Sequence, residues 1–164
     1  MKAKRLALCG LLTALALVLS YLESLVPLGS LSFFVPGVKL GLPNLAILFA
    51  LYRLGFKEAA VISLVRVLLV SLLFGNVFSL AYSAAGAALA LAVMGLLRRS
   101  GKFGTAGVSV AGAVAHNVGQ ILVAMAVLET GAIAAYLPVL LLTGTAAGVA
   151  IGLVSAVLIG RVKL

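Results

Sequence analysis

At 164 residues, 65% hydrophobic and only 9% charged, the chain is far more apolar than a soluble domain, which is nearer half apolar and a quarter charged. Its net charge of +9 does not mark a nucleic-acid binder, because no stretch combines dense Lys/Arg with interleaved aromatics and the charges are scattered between apolar runs. One cysteine, Cys9, excludes an internal disulfide and a sulfur-based metal site.

The first apolar run, 6–26, follows Lys2, Lys4 and Arg5. That start has the look of a signal peptide. The run continues to Val26, however, and no small-x-small cleavage site precedes a soluble domain, so a retained first helix is expected. Pro27, Gly29, Pro36 and Gly37 then interrupt the chain. The second run, 40–54, covers roughly 22 Å as a helix. That is short of the roughly 30 Å of a bilayer core. The apolar but Pro/Gly-broken stretch 31–37 before it predicts an irregular segment dipping into the membrane, giving a short, Pro/Gly-interrupted second span. The third run, 58–75, carries Arg66 near its middle and ends at the Gly75-Asn76 turn. The fourth, 77–97, ends in the polar loop Arg98–Lys102. The fifth, 108–128, is separated by Glu129-Thr130-Gly131 from the sixth, 136–160, where Pro138 falls in the first turn and is tolerated. The expected fold is an all-α integral membrane protein, a six-helix transmembrane bundle forming one domain over residues 1–164.

With the N-terminus in the cytoplasm, Lys2, Lys4, Arg5, Arg53, Lys57, Arg98, Arg99, Lys102, Arg161 and Lys163 all lie at inner ends of spans. That is ten of the twelve basic residues, as the positive-inside rule requires. Six spans then place both termini inside. The two exceptions are Lys39 and Arg66. A guanidinium keeps its proton, and placing one at mid-bilayer costs roughly 2.5–3.5 kcal/mol on insertion scales. These two residues therefore point to a ligand.

Helical spacing gathers the other polar residues into stripes. His116, Asn117 and Gln120 fall within about 100° of arc on the fifth helix, with Ser109 on the same side. Ser79, Tyr82, Ser83 and Gly86 share an arc of the fourth, and Ser63 lies near Arg66 on the third. Thr13, Ala16, Ser20, Glu23 and Ser24 share a face of the first. These stripes can converge on one outward-opening pocket holding Lys39, Arg66, His116, Asn117 and Gln120, with Glu23 the only nearby acid. Such a pocket prefers an anion, because Arg forks onto carboxylate or phosphate. The plainer alternatives are that His116 bonds a neighbouring carbonyl and that Arg66 pairs with Glu23. Small residues form a second pattern. Gly144, Gly148, Gly152, Ala156 and Gly160 recur every four residues on the sixth helix and suit close helix packing. Ala16, Ser20 and Ser24 share that spacing on the first, with Gly10 and Ala14 in addition, for packing or for docking a partner protein.

Catalysis is not expected. There is no Asp, and the three acids, Glu23, Glu58 and Glu129, are spread over both membrane faces, so no carboxylate pair can hold Mg²⁺ against a diphosphate. No Gly-rich loop ending in Lys-Ser/Thr is present. No metal or cofactor is expected.

The segments Pro36–Asn44, Arg66 through Tyr82–Gly86, and Gly107–Gln120 resemble the Gx transporter family, often labelled heptaprenyl diphosphate synthase component I. The resemblance covers nearly the whole chain. Pro43 departs from it, standing where a small residue such as Ala is expected. The family is similar in turn to the S components of energy-coupling factor transporters, six-helix proteins that bind a vitamin or small metabolite on the outer side and work with a membrane coupling protein and two ATPases. The resemblance implies a prokaryotic cytoplasmic membrane, an S-component-like bundle, and site residues at Lys39, Asn44, Arg66, Tyr82, His116, Asn117 and Gln120. It also implies that Gly10, Ala14, Ala16 and Ser20 dock the coupling protein.

The leading expectation is a non-enzymatic, substrate-binding membrane subunit for uptake of a small anionic or aromatic metabolite, such as a vitamin or an isoprenoid or quinone precursor. Its partners would be that substrate, membrane lipid and a coupling module with ATPases, with no nucleic acid. The alternative is a membrane subunit of a quinone- or flavin-linked electron-transfer or prenyl-quinone synthesis system. A standalone secondary transporter is a third reading.

Overall fold

The structure, a computed structural model, describes residues 2–25, 41–75 and 77–162, without the side chains of Lys2 and Ser24. The described residues form six α-helices and no strand. They are α1 (Lys2–Leu25), α2 (Asn44–Arg53), α3 (Phe56–Phe74), α4 (Val77–Ser100), α5 (Thr105–Val127) and α6 (Leu137–Arg161), with a 3-10 helix, Gly131–Tyr136, leading into α6. α1, α4, α5 and the α6 stretch are each long and apolar enough to cross a membrane. α3 has 19 residues but carries Lys57, Glu58 and Arg66, and α2 has only 10 residues. Leu72 and Val77 are 78% and 79% exposed. Side chains of that kind are costly against water and at home in lipid. The chain is a multi-pass membrane protein.

The helices close into a ring in the order α1, α3, α4, α5, α6, α2, with α2 also touching α3. The six successive residues Ala46–Leu51 of α2 are all buried. A helix buried on every side must be apolar on every side, and Ala-Ile-Leu-Phe-Ala-Leu is.

Among the described residues the second span shows no Pro/Gly interruption. α2 is regular from Asn44 to Arg53 and contains neither residue. Pro43 immediately precedes it with φ −60°, a conformation that leads into a helix rather than breaking one. Gly41, at φ +75°, turns the chain just before. Residues 27–39, on which the interruption was expected, lie outside the described residues.

One end of the bundle gathers the cations. Arg5 donates to the Leu54 carbonyl at 2.9 Å and meets Glu58 at 3.1 Å. Arg53 donates to the carbonyls of Ile159 and Val162, the latter at 2.6 Å. Arg98 reaches the Tyr52 carbonyl at 3.3 Å. These carbonyls belong to the ends of α2 and α6, where backbone acceptors have no partner within the helix. The arginines that mark topology therefore also cap helix C-termini.

Helices α4, α5 and α6 approach one another through glycine. A Cβ on Gly148 would lie 2.8 Å from Cα of Val110, one on Gly152 2.6 Å from Cα of Ala106, and one on Gly119 2.9 Å from the Ala85 carbonyl oxygen. Backbone atoms cannot yield, so only glycine fits. The four-residue stripe on α6 does not stay in contact along its length. Each step of four turns about 40° past a full circle, so Ala156 and Gly160 are exposed and Ser155 faces inward instead. The α1 set is divided by the step from Ala14 to Ala16, about 200° of helix rotation. Ala16 and Ser20 are buried in the bundle, Ser20 bonding back to the Ala16 carbonyl at 2.8 Å, so they offer no docking surface, while Gly10 and Ala14 are exposed.

Gly148→Leu should separate α5 from α6 and destabilise the bundle by about 1–3 kcal/mol, the usual cost of overpacking. Gly10→Leu, where nothing lies within 4 Å, should be neutral. Thermal unfolding of both variants in detergent checks this. In a Cys9→Ala background, Lys102→Cys should react with an impermeant maleimide only after cells are permeabilised, and Glu129→Cys should react in intact cells. Labelling from the opposite sides would reverse the orientation.

Candidate functional site

The inward face of α3 is Ala59, Ile62, Ser63, Arg66 and Val67, a helical stripe whose one cation is 8% exposed. Arg66 opens onto a small cavity between α1, α2, α3, α5 and α6. Glu23 enters from α1, Asn44 from the first turn of α2, Ser109, His116 and Asn117 from α5, and Gly144 and Gly148 from α6. The cavity measures about 30 Å³. That is room for little more than one or two water-sized groups.

Two features keep Arg66 available. Its Nε is buried without a hydrogen-bond partner among the described residues. Glu23 also lines the cavity and its charge acts on Arg66, but its Oε1 accepts from the backbone N–H of Gly41. That bond ties the end of α1 to the turn before α2. The N-terminus of α2, the positive end of its dipole, also lies at the cavity, marked by Asn44.

Asn117 serves both structure and site. Its Nδ2 donates to the Leu140 carbonyl on α6 at 2.6 Å. A side chain at Gly144 would collide with that amide. His116 sits in a notch on α4, where a Cβ at Gly86 would lie 2.9 Å from its ring and from Cγ of Gln120.

Of the residues expected at the site, Glu23, Asn44, Arg66, His116 and Asn117 come together at the cavity. Gln120 is buried one turn further along α5 against Gly86, and Tyr82 is half-buried on α4; neither belongs to the described lining. Lys39 lies outside the described residues. The lining also includes Gly41, Pro43, Ala113, Ala147 and Ile151. Ala113 and Ala147 carry no chemical signal, and only their helical spacing from Asn117 and Gly144 could have placed them. The described residues bring together no three of His, Cys, Asp and Glu that could hold a metal ion.

A family model described as heptaprenyl diphosphate synthase component I matches residues 12–158. The chain belongs to that family. This match corrects the assignment to a Gx transporter family akin to the S components of energy-coupling factor transporters. The family shown is named for a component of a prenyl diphosphate synthase, and the S-component description of the bundle falls with the transporter assignment. No curated protein and no solved structure matches the chain.

Asn117→Ala should lower stability by about 1 kcal/mol, the net worth of one buried hydrogen bond. Thermal unfolding in detergent measures it, with Thr143→Val, which removes only bonds within α6, as the milder comparison.

Proposed function

We propose that this chain is a non-catalytic membrane subunit that holds the anionic group of a small metabolite at Arg66. The observation that carries this reading is a buried guanidinium opening onto a polar cavity with its Nε unbonded among the described residues. A carboxylate or phosphate oxygen reaching the cavity would meet Nε and a terminal nitrogen of Arg66 in the fork geometry that arginine favours. Asn44 and Ser109 are positioned to add hydrogen bonds. The space admits one or two oxygens of an anionic group, so the rest of the ligand would need α1 and α2 to part. No Phe or Tyr belongs to the described lining, which favours an anionic ligand over an aromatic one.

The family name supports placing this subunit beside a prenyl diphosphate synthase, where the held group would be the diphosphate of an isoprenoid. Uptake of a soluble anionic metabolite is the second reading. It is favoured by the position of the cavity at the end of α1 and the start of α2, away from the cationic end of the bundle.

Native mass spectrometry after gentle extraction from the host membrane tests the site. The wild-type chain should carry a small anion, and Arg66→Gln should lose it, with affinity falling at least about tenfold for the loss of charge-assisted hydrogen bonds. Equal occupancy in a folded Arg66→Gln variant would overturn the assignment. The mass of the ligand separates an isoprenoid diphosphate from a soluble metabolite.

A further inference from the structure

A second, larger cavity lies on the outer side of the ring at the cationic end. It measures about 740 Å³. That is within the roughly 300–1,000 Å³ range of small-molecule sites. Leu51 of α2, Phe56 of α3 and Ala92, Gly95 and Leu96 of α4 form its walls, and Arg98 and Arg99 complete the lining. Ala92, Gly95, Leu96 and Arg99 follow one another at helical spacing, so a single face of α4 runs from small residues to a cation. Gly95 seats the Phe56 ring against α4. A Cβ on Gly95 would lie 2.7 Å from the ring of Phe56, so a larger side chain there must displace the ring from the cavity wall. Leu96 is 69% exposed and Phe56 48%, which leaves these walls open towards lipid. Arg98 is steadied by the Tyr52 ring, 5.3 Å from its guanidinium carbon, and by its long bond to the Tyr52 carbonyl, with further donors left over. Arg99 is exposed.

We infer that this groove binds a phospholipid with an anionic head group, its phosphate on Arg98 and Arg99 and an acyl chain over Phe56, Ala92 and Leu96. Three observations favour that occupant. The hollow is apolar and faces the bilayer, which suits a hydrocarbon chain. Its two cations stand where the last turn of α4 reaches the membrane surface, which suits a phosphate. It also lies at the end bearing Arg5, Arg53, Arg98 and Arg99, the end that an anionic leaflet attracts. A soluble anion would use the arginines and leave the apolar wall open, and a zwitterionic lipid would cover the wall without net charge for the arginines. This site is separate from the Arg66 cavity, so either assignment can fail without the other.

Thermal unfolding of the full chain in detergent, titrated with dioleoyl phosphatidylglycerol, dioleoyl phosphatidylcholine or glycerol 3-phosphate, tests the inference. Phosphatidylglycerol should raise the midpoint by several degrees, and the other two should have little effect. Arg98→Gln with Arg99→Gln should weaken the phosphatidylglycerol response about tenfold or more. Arg161→Gln, on the same face but away from the groove, should leave it intact. Gly95→Leu should weaken it by displacing the Phe56 ring from the wall, and if that variant does not fold the charge variants decide. Equal stabilisation by phosphatidylcholine or by glycerol 3-phosphate would overturn the inference. So would an Arg161→Gln loss matching the double variant, which would mean a diffuse basic surface.

Discussion

The polar interior of this bundle depends on backbones that touch. Lipid is as apolar as leucine, so helices in a membrane gain little from burying apolar side chains against one another and associate through close packing and hydrogen bonds. Here α4, α5 and α6 meet at Gly86, Gly112, Gly119, Gly144, Gly148 and Gly152. The same glycines make room for polar groups. Gly144 accommodates the Asn117 amide, and Gly86 accommodates the His116 ring and Gln120. Packing and site are therefore one arrangement, and a methyl group at either position would disturb both.

The short helix α2 supplies the second constraint. Buried from Ala46 to Leu51 and only 10 residues long, it ends at the cationic face through Arg53 and begins at the cavity that Arg66 enters. A full-length helix in that place would fill the space in which Glu23, Asn44 and Arg66 now meet. Burying Arg66 beside only one acid, itself bonded to Gly41, leaves part of a guanidinium unsatisfied. Such an arrangement weakens a protein unless a ligand or function compensates for it.

Much of the architecture was legible along the chain. A hydrophobic run punctuated by Gly, Pro and paired charges reveals helices whatever they pack against, because each helix satisfies its own backbone bonds. The six runs correspond to α1 through α6 within a few residues. The second began later than its apolar run, because Gly41 at positive φ and Pro43 place the first helical turn at Asn44. The site was legible in part. Glu23, Arg66, His116 and Asn117 stood out as polar residues in apolar helices, yet Gln120 and Tyr82 looked equally eligible and did not join the described cavity lining.

By itself the sequence determined the membrane class, the six helices found among the described residues and the grouping of cations at one end, since these follow from local composition and from the cost of placing charge in hydrocarbon. It also determined that Arg66 is exceptional. Only the tertiary structure decided which polar stripes face one another, that Ala16 and Ser20 point inward while Gly10 and Ala14 do not, and that the α6 glycine stripe leaves its partner after Gly152. Those outcomes depend on the rotation of each helix about its axis. A drift of about 40° per four-residue step moves a residue off the contact face within two or three turns, and side-chain chemistry in one dimension does not say where that rotation starts.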